Sequence, residues 1–153
     1  MSDARFEDAG QPPLRLRAFD ADDLQVLSAL VQDSVFPANE MQYDRRRRRF
    51  AVLLNRFRWE DRKAQAPERV QSVLTIEDVE KVQTSGVSDR NSDVVMSLLS
   101  MEFSAGDDGS GRILMTFAGD GELALDVEAL EVTLTDVTRP YSAPAGQRPS
   151  HPE

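Results

Sequence analysis

Apolar and polar residues alternate with a period of two along most of this chain, and one segment near its start departs from that rhythm. Leu14-Arg-Leu-Arg-Ala-Phe19 alternates and predicts a short strand. Leu24, Leu27, Leu30 and Val31 then recur at helical spacing, which predicts a helix over about 20–34, ending near Ser34 before Pro37. Asp20 is placed to cap it, Asp23 follows three positions on, and Phe19 with Leu24 occupies the two positions of a hydrophobic staple. From Met41 onward no second helical period appears. Runs of β-branched and aromatic residues predict strands at about 40–44, 48–60, 70–83, 94–104, 112–118, 122–127 and 130–137. The clearest hairpin is Arg112–Ala118 with Glu122–Val127, joined through Gly119-Asp-Gly121, where Asp-Gly supplies the positive φ angles of a tight turn.

Two slips of parity interrupt this pattern. Buried-type positions move from Leu123, Leu125 and Val127 to Leu130, Val132 and Leu134, and from Leu74 and Ile76 to Val79. Each slip implies a bulge or corner, as when one long strand bends around a barrel or serves two sheets. The expected fold is therefore α+β, with one N-terminal helix packed on a curled antiparallel sheet or partly open barrel of six to seven strands. It is pleckstrin-homology-like at the level of analogy, which implies nothing about ligand. Residues 1–13 and the Pro-rich residues 138–153 are expected to be disordered tails flanking a single domain at 14–137. Ala105–Gly111 (AGDDGSG) is expected to be a flexible loop between strands, and no internal repeat is visible.

Composition narrows the chemistry more than the fold. At 153 residues the chain suits one domain with an ordinary core. No apolar run approaches the ~18 residues of a membrane helix, and MSDARFEDAGQPP lacks the layout of a secretory signal, so a cytoplasmic location without membrane contact is expected. The chain has no cysteine, which removes disulfides, thiolate nucleophiles and zinc-finger spacings. The only histidine, His151, lies in the terminal SHPE segment, away from anything that would hold it as a catalytic base or metal ligand. There is no phosphate-binding loop, and Gly106-Asp-Asp-Gly109-Ser-Gly111 has the wrong spacing for a dinucleotide fingerprint, so no cofactor or metal is expected. Carboxylate pairs remain as candidate acid and base groups, namely Glu77 with Asp78, Asp126 with Glu128, and Glu131 with Asp136. Most of them alternate with apolar positions, as the solvent face of a sheet does.

Charge is strongly segregated. Residues 45–70 hold ten basic and three acidic side chains, a net +7 in a chain of net −9. The segment opens with Arg45, Arg46, Arg47, Arg48 and Arg49, and Arg56, Phe57, Arg58 and Trp59 follow after an apolar run. Two readings compete. In the first, Arg45–Arg49 with Arg56, Arg58 and Trp59 form a binding surface: the planar guanidinium fork suits carboxylate and phosphate, and aromatic neighbours offer stacking surface. Its partner is an acidic protein segment or a second copy of the chain, with nucleic acid as an alternative that the acidic whole disfavours. In the second, Phe50–Trp59 is a core strand, and the arginines pair within the molecule with acids at 77–80 and 122–136. On the first reading the protein is a non-catalytic interaction or regulatory module. A nucleic-acid-binding domain and a carboxylate-dependent enzyme are the alternatives.

Three segments carry a resemblance: LRLRAFDADDLQVLSALVQDSV from residue 14, RRRRRFAVLLNRFRWE from residue 45 and GELALDVEALEVTLTDV from residue 121. In this order they resemble a family of short bacterial proteins described as domain of unknown function 2948, over about residues 14–141. The resemblance implies a bacterial cytoplasmic protein and brings no activity, ligand or site residue.

Overall fold

The computed structural model describes residues 13–60, 68–87 and 92–142. Its elements in chain order are β1 (Arg15–Ala18), α1 (Ala21–Leu30), β2 (Ser34–Pro37), β3 (Gln42–Asp44), β4 (Arg49–Phe57), β5 (Glu68–Ile76), β6 (Val79–Ser85), β7 (Val95–Ala105), β8 (Gly111–Phe117), β9 (Glu122–Val127), β10 (Val132–Asp136) and β11 (Tyr141–Ser142). All strands join one antiparallel sheet in the order β1-β10-β5-β4-β2-β7-β8-β9-β6, with β3 added to β4 and β11 to β5.

The two parity slips are the two corners of this sheet. Before its corner, β5 pairs with β4 and β10; after Glu77 and Asp78, the chain continues as β6 and pairs with β9. Likewise β9 pairs with β8 and β6, and β10, beyond the second corner, pairs with β1 and β5. The corners are bonded to each other, because Glu77 N–H donates to the Glu131 carbonyl at 3.0 Å and Glu128 N–H to that of Asp78 at 2.9 Å. Asp78 turns with φ +56°, a left-handed conformation in which aspartate is among the better tolerated residues. Leu74, Ile76 and Val79 all remain inside, as do Val127, Leu130 and Val132, so each slip keeps the apolar face inward while the strand changes partners.

The eleven strands among the described residues exceed the expected six to seven. The difference arises where a corner divides the predicted 70–83 strand and where short pairings, β2 and β11, carry no sequence period of their own. The helix likewise stops at Leu30 rather than near 34. Beyond it Asp33 takes φ +65° and Ser34–Pro37 pairs with β7, with Ser34 and Phe36 turned inward. Asp20 does cap α1, its Oδ1 accepting from Asp23 N–H at 2.8 Å. No staple closes over it in the expected way, because Leu24 is buried and Phe19 is 56% exposed. Ser28 fixes the helix to the sheet by accepting the Met101 N–H at 2.9 Å.

Two turns also differ in detail. In the β8–β9 hairpin the positive φ angles fall on Gly119 and Asp120 rather than on Asp120 and Gly121. The expected 105–111 loop is shorter, since Ala105 pairs with Gly111 at the start of β8. Gly111 is needed there: a Cβ would come within 2.5 Å of both the Phe103 ring and the Ser104 carbonyl. Towards the C-terminus, Thr138 accepts the Gln71 N–H at 3.0 Å and Tyr141–Ser142 pairs with β5, so residues 138–142 are tied to the sheet. Residues 1–12 and 143–153, including His151, lie outside the described residues. Among the described residues no helix is long and apolar enough to cross a membrane.

Candidate functional site

The basic segment is split in two by β4. At its start, Arg45–Arg48 form the turn between β3 and β4, with Arg48 at φ +56° and the Asp44 side chain accepting from Arg47 N–H at 3.2 Å. Arg45, Arg46 and Arg47 are exposed. Arg47 has only a loose contact with Asp44 at 3.8 Å, while Arg45 and Arg46 make no ion pair among the described residues.

The other two arginines of the run fasten the turn to the corners. Arg48 Nη2 donates to Glu128 Oε1 at 2.5 Å, and this hydrogen bond raises the Arg48 pKa above the ordinary guanidinium value. Arg49 Nε lies 3.0 Å from Glu77 Oε2. The backbone adds two ties, because Val79 N–H donates to the Arg48 carbonyl at 2.8 Å and Tyr43 OH to the Val79 carbonyl at 2.7 Å. Glu128 and Glu77 belong to the acidic stretches with which intramolecular pairing was expected, and that pairing accounts for Arg48 and Arg49.

At the far end of β4 the setting reverses. Phe50, Val52 and Leu54 face inward, and the same parity carries Arg56 into the interior, where it is 0% exposed. Its Nε donates to Ser72 Oγ at 3.1 Å and to Asp136 Oδ1 at 3.2 Å, and Nη2 reaches Asp136 Oδ1 at 3.0 Å. Nη1 donates to the Phe57 carbonyl at 3.1 Å and to Glu60 Oε1 at 2.9 Å, and Nη2 also donates to Glu60 Oε2 at 2.8 Å. Every guanidinium nitrogen is thereby bonded, as a buried arginine requires. Asp136 in turn accepts from Ser72 Oγ at 2.7 Å and Leu14 N–H at 2.9 Å, so the network ties β4, β5, β10 and the entry to β1 together.

The charges in this network act on each other. Burial opposes the charged form of Arg56, but the bonds to Glu60 and Asp136 outweigh it and raise its pKa. For Glu60, burial acts to raise the pKa, and the Arg56 hydrogen bond, a backbone hydrogen bond and the charges of Arg56 and Arg58 together outweigh it and hold the carboxyl below its ordinary range.

Arg58 and Trp59 are also committed to internal contacts. Arg58 is 8% exposed and pairs with Glu68 through its Nη1, while Trp59 is half-buried and donates from Nε1 to the Gln32 carbonyl at 3.0 Å. The Trp59 ring leans on Phe57 at 5.7 Å, and Arg69 covers the Phe57 ring at 3.9 Å. Phe57 and Trp59 therefore form no open stacking platform. Of the eight residues singled out from the sequence, the structure groups Arg45–Arg49 at one end of β4 and Arg56, Arg58 and Trp59 at the other.

The candidate carboxylate pairs are drawn to arginines rather than to each other. Glu77 meets Arg49, Glu128 meets Arg48, Asp136 meets Arg56, and Asp126 meets Arg112 at 2.7 Å. Among the described residues no group of three His, Asp or Glu side chains is gathered closely enough to hold a metal ion. Ser72 and Glu60 were not among the residues singled out, and Asp136 was singled out only as a carboxylate candidate beside Glu131, not as a partner of Arg56. Ser72 and Asp136 had a signal, since each is polar at an inward parity, after Val70 and Leu134 respectively.

Fold and site together define a helix-bearing antiparallel β domain with an arginine-tipped hairpin. The chain belongs to the family described as protein of unknown function DUF2948, whose model matches residues 14–151. No curated protein and no solved structure matches it.

Proposed function

We infer that this protein is a non-catalytic interaction module whose β3–β4 turn binds an acidic segment of a partner protein through Arg45, Arg46 and Arg47. The observation that supports it is that, among the described residues, these three exposed arginines lack a close internal counter-charge on a turn that Arg48 and Arg49 hold in place. Holding three like charges together in solvent is unfavourable, and an external carboxylate would relieve it. Arg56, Arg58 and Trp59 act as structural supports in this reading. Nucleic acid is the weaker partner, because no aromatic platform accompanies the turn and the chain as a whole is acidic. The antiparallel sheet with its single helix supports a pleckstrin-homology-like reading at the level of analogy only, and the analogy assigns no ligand.

The test is fluorescence anisotropy with a labelled ten-residue glutamate peptide between about 20 and 300 mM salt, a range over which the Debye length shortens severalfold. Binding that weakens with salt and falls at least tenfold in an Arg45/Arg46/Arg47→Gln triple variant is the expected result. Equal binding by the triple variant would overturn the reading, and tighter binding of an oligothymidine of equal length would move it to nucleic acid.

A further inference from the structure

The arginine turn lies beside a sheet edge that is unpaired among the described residues. The strand order ends at β1 and β6, and the two ends differ. β1 has four residues, two of them arginines, and α1 packs against it. β6 has seven residues, pairs only with β9 among the described residues, and exposes Glu80, Lys81, Gln83, Thr84 and Ser85. At about 3.3 Å per residue its outer edge is roughly 20 Å long, enough to template a strand of ordinary length. A bulge and two charges blunt its first residues, Val79–Lys81, whereas Val82–Ser85 is regular and uncharged. Backbone N–H and C=O groups on such an edge are available to another chain.

The position of the turn supplies the partner's chemistry. Val79, where β6 begins, is bonded to the Arg48 carbonyl and to the Tyr43 hydroxyl, so Arg45–Arg47 stand at the entry end of the edge. We propose that an extended segment of a partner protein adds to β6 as a further antiparallel strand, with a cluster of carboxylates just after that strand seated on Arg45, Arg46 and Arg47. Antiparallel addition fixes the polarity. The partner's C-terminal end lies at Val79, so its acidic residues follow its strand-forming residues in sequence. Asp78 and Glu80 already act on Arg48, which leaves the three outer arginines as the seat for the partner's charge. This proposal rests on the reading of the arginine turn given above and adds the strand to it.

The probe is the peptide Thr-Val-Thr-Val-Thr-Glu-Glu-Glu, capped at both ends, titrated into the full chain up to about 1 mM. Two further versions carry N-methyl groups on the odd or the even amides of the Thr-Val part. Strand addition predicts that the parent peptide binds, that one methylated version loses at least tenfold in affinity, and that the other changes less than twofold, because only alternate N–H groups face the template. It also predicts slowed hydrogen exchange at β6 amides within Val82–Ser85. Equal binding by all three peptides would overturn strand addition while leaving the arginine reading intact. Binding of the glutamate peptide without binding of the parent peptide would do the same. Failure of both peptides to bind would overturn both.

Discussion

Arg47 and Arg56 belong to the same basic segment, yet one side chain is 72% exposed and the other is fully buried. Their strand connects them: β4 carries the chain from a solvated turn at Arg49 to the interior at Arg56, seven residues and roughly 23 Å away. At the turn, local geometry decides, because residues with no strand partner project into water. At the inner end, parity decides, because Arg56 shares the face of Phe50, Val52 and Leu54. A charge count over the segment merges the two ends, although the first has charge to spare and the second has none. Taking a guanidinium out of water is costly unless each donor is met, and Asp136, Glu60, Ser72 and the Phe57 carbonyl meet them.

This contrast is broken most directly at Arg56. Arg56→Ala is expected to cost about 3–5 kcal/mol in denaturant unfolding, since it strands the Asp136 carboxylate in a site where its side chain is 6% exposed. Replacing Arg56, Asp136 and Ser72 together by Met, Leu and Ala is expected to recover most of that loss. A cost below about 1 kcal/mol for Arg56→Ala would mean that the buried network does not anchor the sheet.

Glu60 gives the next effect. Its folded-state pKa is depressed, so its contribution is present above the unfolded value of about 4.5 and is lost as pH falls through the lower folded value. Glu60→Gln is expected to cost about 1–2 kcal/mol at neutral pH and to flatten the loss of stability below about pH 4, read from urea midpoints across pH. A variant with the parent's acid profile would show that the Arg56–Glu60 pair is not formed in solution.

The same contrast explains what could be read before the fold was seen. Both corners were legible, because an apolar set that changes parity at Val127 and Ile76 can stay inside only if the strand bends. Their mutual bonding was not, since register between distant strands leaves no local mark. Strand β2 was hidden because Val31 extends the helical spacing and four residues are too few to establish a period of two. The arginine turn was visible as composition. Its division into three exposed and two strapped arginines depended on where Glu77 and Glu128 come to lie. For Arg56 the alternation from Phe50 pointed inward, and its charge pulled the reading outward. The polar residues Ser72 and Asp136 at inward positions of two other strands were the signal that would have decided it.

Smaller effects belong to the straps. Arg48→Gln and Arg49→Gln each remove one partly exposed ion pair to a corner, where solvent screens the interaction. Each is expected to lower the melting temperature by about 2 °C or less, while the Val79-to-Arg48 backbone bond keeps the turn in place. A drop above about 6 °C would place these arginines with Arg56 as anchors of the sheet.

The smallest change in stability is expected from the arginines with the largest proposed role in binding. In the Arg45/Arg46/Arg47→Gln triple variant no close ion pair is lost, and three crowded positive charges are removed from a turn whose backbone is held by Asp44 and Arg48. Repulsion among them is relieved at the same time as the chain's net charge moves from −9 to −12, which adds weakly to its overall repulsion. These opposed terms are both screened in solvent, so the melting temperature should move by less than about 2 °C in either direction, and raising salt should shrink the difference further. Thermal unfolding at low and high salt measures this. A loss comparable with that of Arg56→Ala would erase the distinction between the two ends of β4, because it would mean that the exposed turn is held together by the same arginines offered here to a partner.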